Sequence, residues 1–205
     1  MLYIIESAIK RITMGVWGKA RRNSRRLTPK DELHYHVSRE VVEFTKKVLE
    51  EYGARHPAAE GVVYWAGRRD GNQLHICAAV APAVHASRYG FQTGYKTNGD
   101  FVGFLSDNDL QYISQVHSHP SSWVDHSEVD DRETAFRREG LLSIVVPSFG
   151  RTGIFPLNQC GVHLYTGEQF RRVTDKYLRS RFHPVDEGAC PVLLKDFRNE
   201  SGDMV

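Results

Sequence analysis

The spacing of apolar positions changes period several times along this chain. Leu33 to Val37 ("LHYHV") alternates and predicts a short strand. Ser38 is a good N-cap by residue type. After it, Val41, Phe44, Thr45, Val48, Leu49 and Tyr52 fall at helical spacing and form one buried stripe, ended by Gly53. Two runs rich in β-branched and aromatic residues follow, Glu60–Gly67 and Gln73–Pro82. The Asp70-Gly71 pair between them predicts a hairpin. Residues 83–105 carry glycines and aromatics without a period, which predicts a long irregular segment of the functional or mobile kind. The stretch "SDNDLQ" reads as the opening of a short helix. Tyr112–His119 reads as a strand stopped by Pro120, which cannot donate to a ladder. Ser127–Glu139 reads as a helix capped by Ser127 and ended by Gly140. Leu141–Pro147 reads as a fully buried strand, and Gly153–Pro156 and Cys160–Thr166 as two more. From Glu168 onward the pattern predicts an amphipathic helix over Phe170–Phe182, then a polar tail.

This succession predicts the α/β class (α+β, mixed): a mixed sheet with helices on its faces. It divides the chain into an N-terminal extension with a basic linker (1–32), a main domain (33–165), and a C-terminal helix and tail packed on it (166–205). A chain of 205 residues can bury a core without disulfides. The formal net charge of +2 argues against a dedicated nucleic-acid binder. The run Lys19–Lys30 ("KARRNSRRLTPK") is the local exception, either a solvated linker or a contact for phosphate or an acidic partner. "ITMGVW" ahead of it reads as a strand. Cys77, Cys160 and Cys190 are odd in number and widely spaced, so they predict neither a disulfide framework nor a metal knuckle. That pattern suits a reducing compartment. Glu6, Lys10 and Arg11 interrupt the N-terminal apolar run, so it does not read as a signal peptide. No stretch approaches the ~18 consecutive apolar residues of a membrane span. The expectation is a soluble, cytoplasmic protein.

Candidate chemistry concentrates in Gln115–Asp131, "QVHSHPSSWVDHSEVDD". His117 and His119, two apart on a strand, point to one face. Ser127 and Asp130, three apart at the start of a helix, share a face of its first turn. A short loop can swing that turn over the strand end. Two imidazole nitrogens and one carboxylate oxygen then give three metal ligands, with a fourth position open for water, as in catalytic zinc sites. S-x-x-D is also a capping-box pattern in its own right. Asp125, His126 and Asp131 read as solvated neighbours. His34 and His36 repeat the HxH spacing without a following carboxylate motif and read as sheet residues. Trp123 reads either as loop packing or as a wall beside the site.

The sequence H-x-H-P, seven residues, then S-x-x-D resembles the motif of the JAMM (MPN-plus, Mov34/JAB-like) zinc isopeptidases, here His117, His119, Ser127 and Asp130. That family also has an upstream glutamate near the start of a strand, a place that Glu60 in "AAEGVVYWAG" fits. "LLSIVVPS" resembles the strand after the motif helix, so the likeness spans about residues 33–165. It implies an MPN/JAB-like mixed sheet flanked by helices, in a cytidine-deaminase-like three-layer arrangement. It further implies one zinc ion per chain held by His117, His119 and Asp130, with Glu60 as general base and Ser127 as donor to the oxyanion.

The activity implied is hydrolysis after the C-terminal glycine of a ubiquitin-like protein, as deconjugation or precursor processing. The segment 83–105 would be the groove for the substrate tail. The length resembles bacterial stand-alone members, which work beside ubiquitin-activating and ubiquitin-conjugating homologues, including in antiviral operons. Two other readings stay open: a zinc peptidase or amidase for a small peptide or sulfur-carrier substrate, and a non-catalytic MPN scaffold.

Overall fold

A computed structural model describes residues 32–134, 136–186 and 188–198. The strand expected at Ile12–Trp17, the basic run Lys19–Lys30 and almost all of the N-terminal extension lie outside the described residues.

Strand β1 (His34–Ser38) feeds helix α1 (Arg39–Gly53). The expected stripe is buried at Val41, Thr45, Val48, Leu49 and Tyr52. Ser38 occupies the N-cap position, but its hydroxyl makes no capping hydrogen bond and is buried without a partner. The cap expected there does not form. Strands β2 (Val62–Asp70) and β3 (Gln73–Ala81) make the expected hairpin, turning through Gly71 at φ +57°. The alternation of β2 sets the layers. Val63 and Trp65 face the α1 side, where the Trp65 indole N–H donates to Thr45 Oγ1 at 2.8 Å. Val62 and Tyr64 face the opposite side.

Residues 83–105 are not irregular. They form a small hairpin, β4 (Val84–Ser87) and β5 (Gly90–Thr93), followed by helix α2 (Tyr95–Asp107). Short strands and a glycine-containing helix give no clean period. Tertiary contact stabilises them, with Phe91 and Phe101 packing on Val62, Tyr64 and Val80. "SDNDLQ" therefore closes a helix instead of opening one.

The remaining elements are β6 (Gln111–Ser118), α3 (Glu128–Glu133), β7 (Leu142–Val146), β8 (Gly161–Tyr165), β9 (Phe170–Arg172), α4 (Asp175–Arg181), β10 (Phe182–Val185) and β11 (Leu193–Asp196). Three expectations are corrected here. Helix α3 stops at Glu133 rather than Glu139, because its polar sequence has no apolar stripe to bury. Gly153–Pro156 is not a strand. The C-terminal region is not only a helix and tail: β9, β10 and β11 all pair into the main sheet.

That sheet runs β10-β1-β3-β2-β6-β7-β8-β9, with β11 also on β3. β1 pairs in parallel with β3 and β10, β11 with β3, and β6 with β7; the other pairs are antiparallel. With α1 on one face and α2 on the other, the architecture is a mixed sheet flanked by helices.

The cysteine reading is also corrected. Cys77 and Cys190 form a disulfide, with Cα atoms 6.2 Å apart. Spacing could not show this, because the segment between β10 and β11 that carries Cys190 reaches Cys77 on β3 only through the tertiary fold. Cys77 sits at a bulge of β3, where Gly67 of β2 comes so close that a Cβ would lie 1.9 Å from the His75 carbonyl. Either side of this bulge β3 has a different neighbour, β1 along Gln73–Ile76 and β11 along Ala78–Ala81. Cys160 is free and buried, and burial pushes its thiol up to about 12. Among the described residues no helix is long and apolar enough to cross a membrane.

Candidate metal centre

The centre forms where the parallel pair β6–β7 ends. His117 lies opposite Val145 in that pair. Just past β6, the His119 N–H donates to the Val146 carbonyl (2.9 Å), and its own carbonyl accepts from the Phe149 N–H (3.0 Å). Backbone pairing thus continues through both histidines. His119 Nδ1 lies 2.9 Å from the Trp123 carbonyl, and the two rings stack with centroids 5.2 Å apart. A carbonyl only accepts, so Nδ1 carries the proton and Nε2 presents a lone pair inward. His117 is fully buried, and neither of its ring nitrogens has a hydrogen-bond partner.

Helix α3 brings the carboxylate. Ser127 caps it, with Oγ accepting from the Asp130 N–H at 3.1 Å, while Asp130 Oδ2 accepts from the Ser127 N–H at 2.6 Å. This reciprocal capping box fixes the Asp130 rotamer. Its Oδ1 lies 3.3 Å from His117 Nε2 and its Oδ2 3.3 Å from His119 Nε2. The three ligand atoms all fall within 4.8 Å of one another, and all three residues are buried. A carboxylate oxygen facing an imidazole lone pair is repulsive unless a cation lies between them. Burial pulls the His117 imidazole below its ordinary range despite Asp130 beside it. Burial also acts to lower His119, but Asp130 and Glu60 prevail and raise it. For Asp130, burial acts upward, yet the imidazoles of His117 and His119 beside it, with the Ser127 N–H, hold the carboxyl well below the usual carboxylate range. A permanently ionised carboxylate, two inward nitrogens and an orphaned buried imidazole fit a divalent metal of nitrogen and oxygen preference.

Glu60 precedes β2, and its backbone is held from two sides. Its N–H donates to Ser87 of the β4–β5 turn (2.8 Å). The next residue, Gly61, exchanges two bonds with Ser118, one to the hydroxyl and one from the backbone, each 3.0 Å. The carboxyl is buried, and that burial raises it to about 7, with His119 opposing and Asp130 reinforcing. Glu60, His119, Ser127, Trp123, Arg88 and Tyr89 share a cleft of about 440 Å³. The Ser127 oxygen is engaged as a cap acceptor, which leaves its proton free to donate into that cleft.

The five sequence-chosen residues therefore meet in one place. Glu40 and Glu43 are exposed on α1. His34 and His36 lie on β1, separated from β6 by β3 and β2. His126 was misread as solvated. It is buried, and its ring bonds Asp131 and Ser143. Its spacing to Asp131 across the Ser127 cap is a local signal, but its burial and its bond to Ser143 on β7 leave no trace in the sequence. Its neighbour His163 is held neutral by burial, its imidazole pulled down to about 2.

Fold and centre together define a mixed α/β domain with a buried three-ligand site open to a cleft. No protein-family model matches this chain. No curated protein matches it either. Among solved structures, it is similar to a protein from Desulfitobacterium hafniense determined in solution. The two are 16% identical with a TM-score of 0.51, over 83% of this chain and 99% of the other. It also matches a JAB1/MPN domain protein from Archaeoglobus fulgidus, 17% identical with a TM-score of 0.34, over 66% of this chain and 90% of that one. The first likeness concerns the fold alone, and the second is too loose to carry an argument.

Proposed function

We propose that this chain is a zinc-dependent hydrolase of amide bonds, a JAMM-type isopeptidase acting after the terminal glycine of a ubiquitin-like protein. The observation that carries the reading is the convergence of His117, His119 and Asp130 at one buried point, with Glu60 and Ser127 facing the adjoining cleft. A zinc ion in this ligand set supplies Lewis acidity, polarising a carbonyl and making water acidic near neutral pH. Glu60, its carboxyl poised near neutrality, takes the proton from the attacking water and returns it to the leaving amine. The Ser127 hydroxyl donates to the carbonyl oxygen as negative charge develops there. None of these steps needs a cysteine nucleophile. The motif resemblance, rather than the geometry, supports the choice of substrate. The β4–β5 hairpin beside Glu60 is a two-stranded sheet to which an extended glycine-rich tail can add as a further strand. The pathway would supply ubiquitin-activating and ubiquitin-conjugating homologues as functional partners; the Cys77–Cys190 bridge removes the support that the cysteine pattern gave to a reducing, cytoplasmic compartment.

The test is incubation of zinc-loaded protein with a ubiquitin-like domain joined through its terminal glycine to a lysine side chain, in parallel with short glycyl-lysine peptides. The expected product is the modifier ending in its glycine. Cleavage of the peptides alone would replace the isopeptidase reading with that of a small-substrate peptidase. No cleavage of either by zinc-loaded protein would favour the scaffold.

A further inference from the structure

Helix α3 and its cap carry two of the five site residues, Asp130 and Ser127, yet little apolar burial holds the helix. Its sequence is Glu128-Val129-Asp130-Asp131-Arg132-Glu133, with one apolar side chain in six. A helix this short is not stable alone, and most helices are held by an apolar face. Val129 against Gly90 of β5 gives it one apolar contact, and polar links supply the rest of its seating over the end of β6.

His126 has the right connections. It directly precedes the Ser127 cap, and its ring is buried. Nδ1 lies 2.8 Å from Asp131 Oδ1 and Nε2 lies 2.9 Å from Ser143 Oγ. The carboxylate only accepts, so Nδ1 holds the proton and, in the neutral ring, the Ser143 hydroxyl donates to Nε2. Ser143 is fully buried on β7 and stands opposite Gln115, two residues before His117. Counted from the cap, His126 and Asp131 occupy the positions where a hydrophobic staple normally fixes the angle at which the chain enters a helix. Here a hydrogen bond joins those positions, and the same ring is anchored to the sheet. Its ring neighbours, both tilted against it, are His163 on β8 (4.2 Å between centroids) and Phe170 on β9 (4.8 Å). The loop ahead of it is seated on β8 at Gly161, where a Cβ would lie 1.7 Å from the Val124 carbonyl.

We infer that His126 is the positioning residue of the metal centre: the Ser143–His126–Asp131 link sets the distance from Asp130 to His117 and His119. This rests on the proposed metal site, but not on the identity of the substrate. It gives the three residues a common purpose that requires no contact with metal or substrate. Removing a polar partner behind a metal ligand typically weakens binding about 10–100-fold.

The experiment measures zinc affinity by chelator competition on the full-length zinc-loaded protein, and the visible spectrum after cobalt(II) replacement. The variants are Asp131→Ala, His126→Phe and His126→Gln. Asp131→Ala removes a half-exposed carboxylate and should leave the fold intact. The inference expects 10–100-fold weaker zinc binding and an altered cobalt spectrum in Asp131→Ala and His126→Phe. His126→Gln, whose amide can still bond at one end, should recover part of the affinity. Unchanged affinity and spectrum in folded Asp131→Ala would overturn the inference, whether or not His126→Phe folds. Failure of the unaltered protein to bind zinc would instead overturn the metal site itself.

Discussion

The chemistry of single residues turns on which way their lone pairs and protons point. His119 is committed through Nδ1 to the Trp123 carbonyl, so only Nε2 is left for a metal. His117 has no hydrogen-bond partner at either ring nitrogen, and Asp130 turns Oδ1 toward it while Oδ2 also accepts from the Ser127 N–H. We expect His117→Ala, His119→Ala and Asp130→Ala each to lose most bound zinc by elemental analysis, while His36→Ala on β1 keeps the unaltered stoichiometry. Retention of zinc by His117→Ala would reject the ligand set. Glu60 permits a pH experiment. Burial raises its carboxyl from 4.5 to about 7 in the folded chain. Between those values the native state holds a proton that the unfolded state has released, so stability falls as pH rises through this window. In metal-stripped protein, Glu60→Gln should therefore melt above the unaltered protein at pH 8 and together with it below pH 4.5. Equal melting temperatures at pH 8 would show that the carboxyl is not held protonated. With zinc bound, the same variant should turn over slower by about a hundredfold or more, because the amide cannot take a proton. The motif spacing made these residues legible. His126 was not, since its burial and its bond to Ser143 on β7 leave no trace in the sequence.

Elements were read well where one period ran long enough and poorly where neighbours decided the outcome. Helix α1, the β2–β3 hairpin and β7 all bury continuous apolar patterns, and each formed as expected. The β4–β5 hairpin, helix α2 and strands β9 to β11 are short, and pairing or packing holds them. Helix α3 shows local and tertiary control acting on one segment. Ser127 begins it by chemistry visible in the sequence, while its early end at Glu133 follows from the absence of apolar burial. Ser127→Ala separates its two tasks. As a cap it is worth about 1 kcal/mol of stability. As a donor to the oxyanion it is worth on the order of a hundredfold in turnover with zinc retained. A thermal melt and a rate measured on one preparation distinguish them, and a stability loss with an unchanged rate would leave Ser127 only its cap.

Over the whole molecule, the C-terminal region completes the sheet. β10 extends it beyond β1, β11 lies on β3, and the Cys77–Cys190 disulfide joins this region to the β3 bulge. A bridge closing so long a loop typically contributes about 2–4 kcal/mol, chiefly by restricting the unfolded chain. Cys190→Ser should therefore melt several degrees lower, match the reduced unaltered protein, and ignore added reductant. Its zinc content should not change, because the centre is held by β6, β7 and α3. A melting temperature indifferent to both reductant and substitution would mean that the bridge carries no stability.

The sequence by itself determined the mixed class, the long helix, the central hairpin and the five candidate site residues. Hydrophobic period and motif spacing are properties of neighbours along the chain, so they can be read there. Only the tertiary structure decided that His117, His119 and Asp130 share one point, that Cys77 meets Cys190, and that His126 is buried behind the centre. Each depends on how separate elements pack, the first turn of α3 on the end of β6, the segment after β10 on β3, and the loop before α3 on β7 and β8.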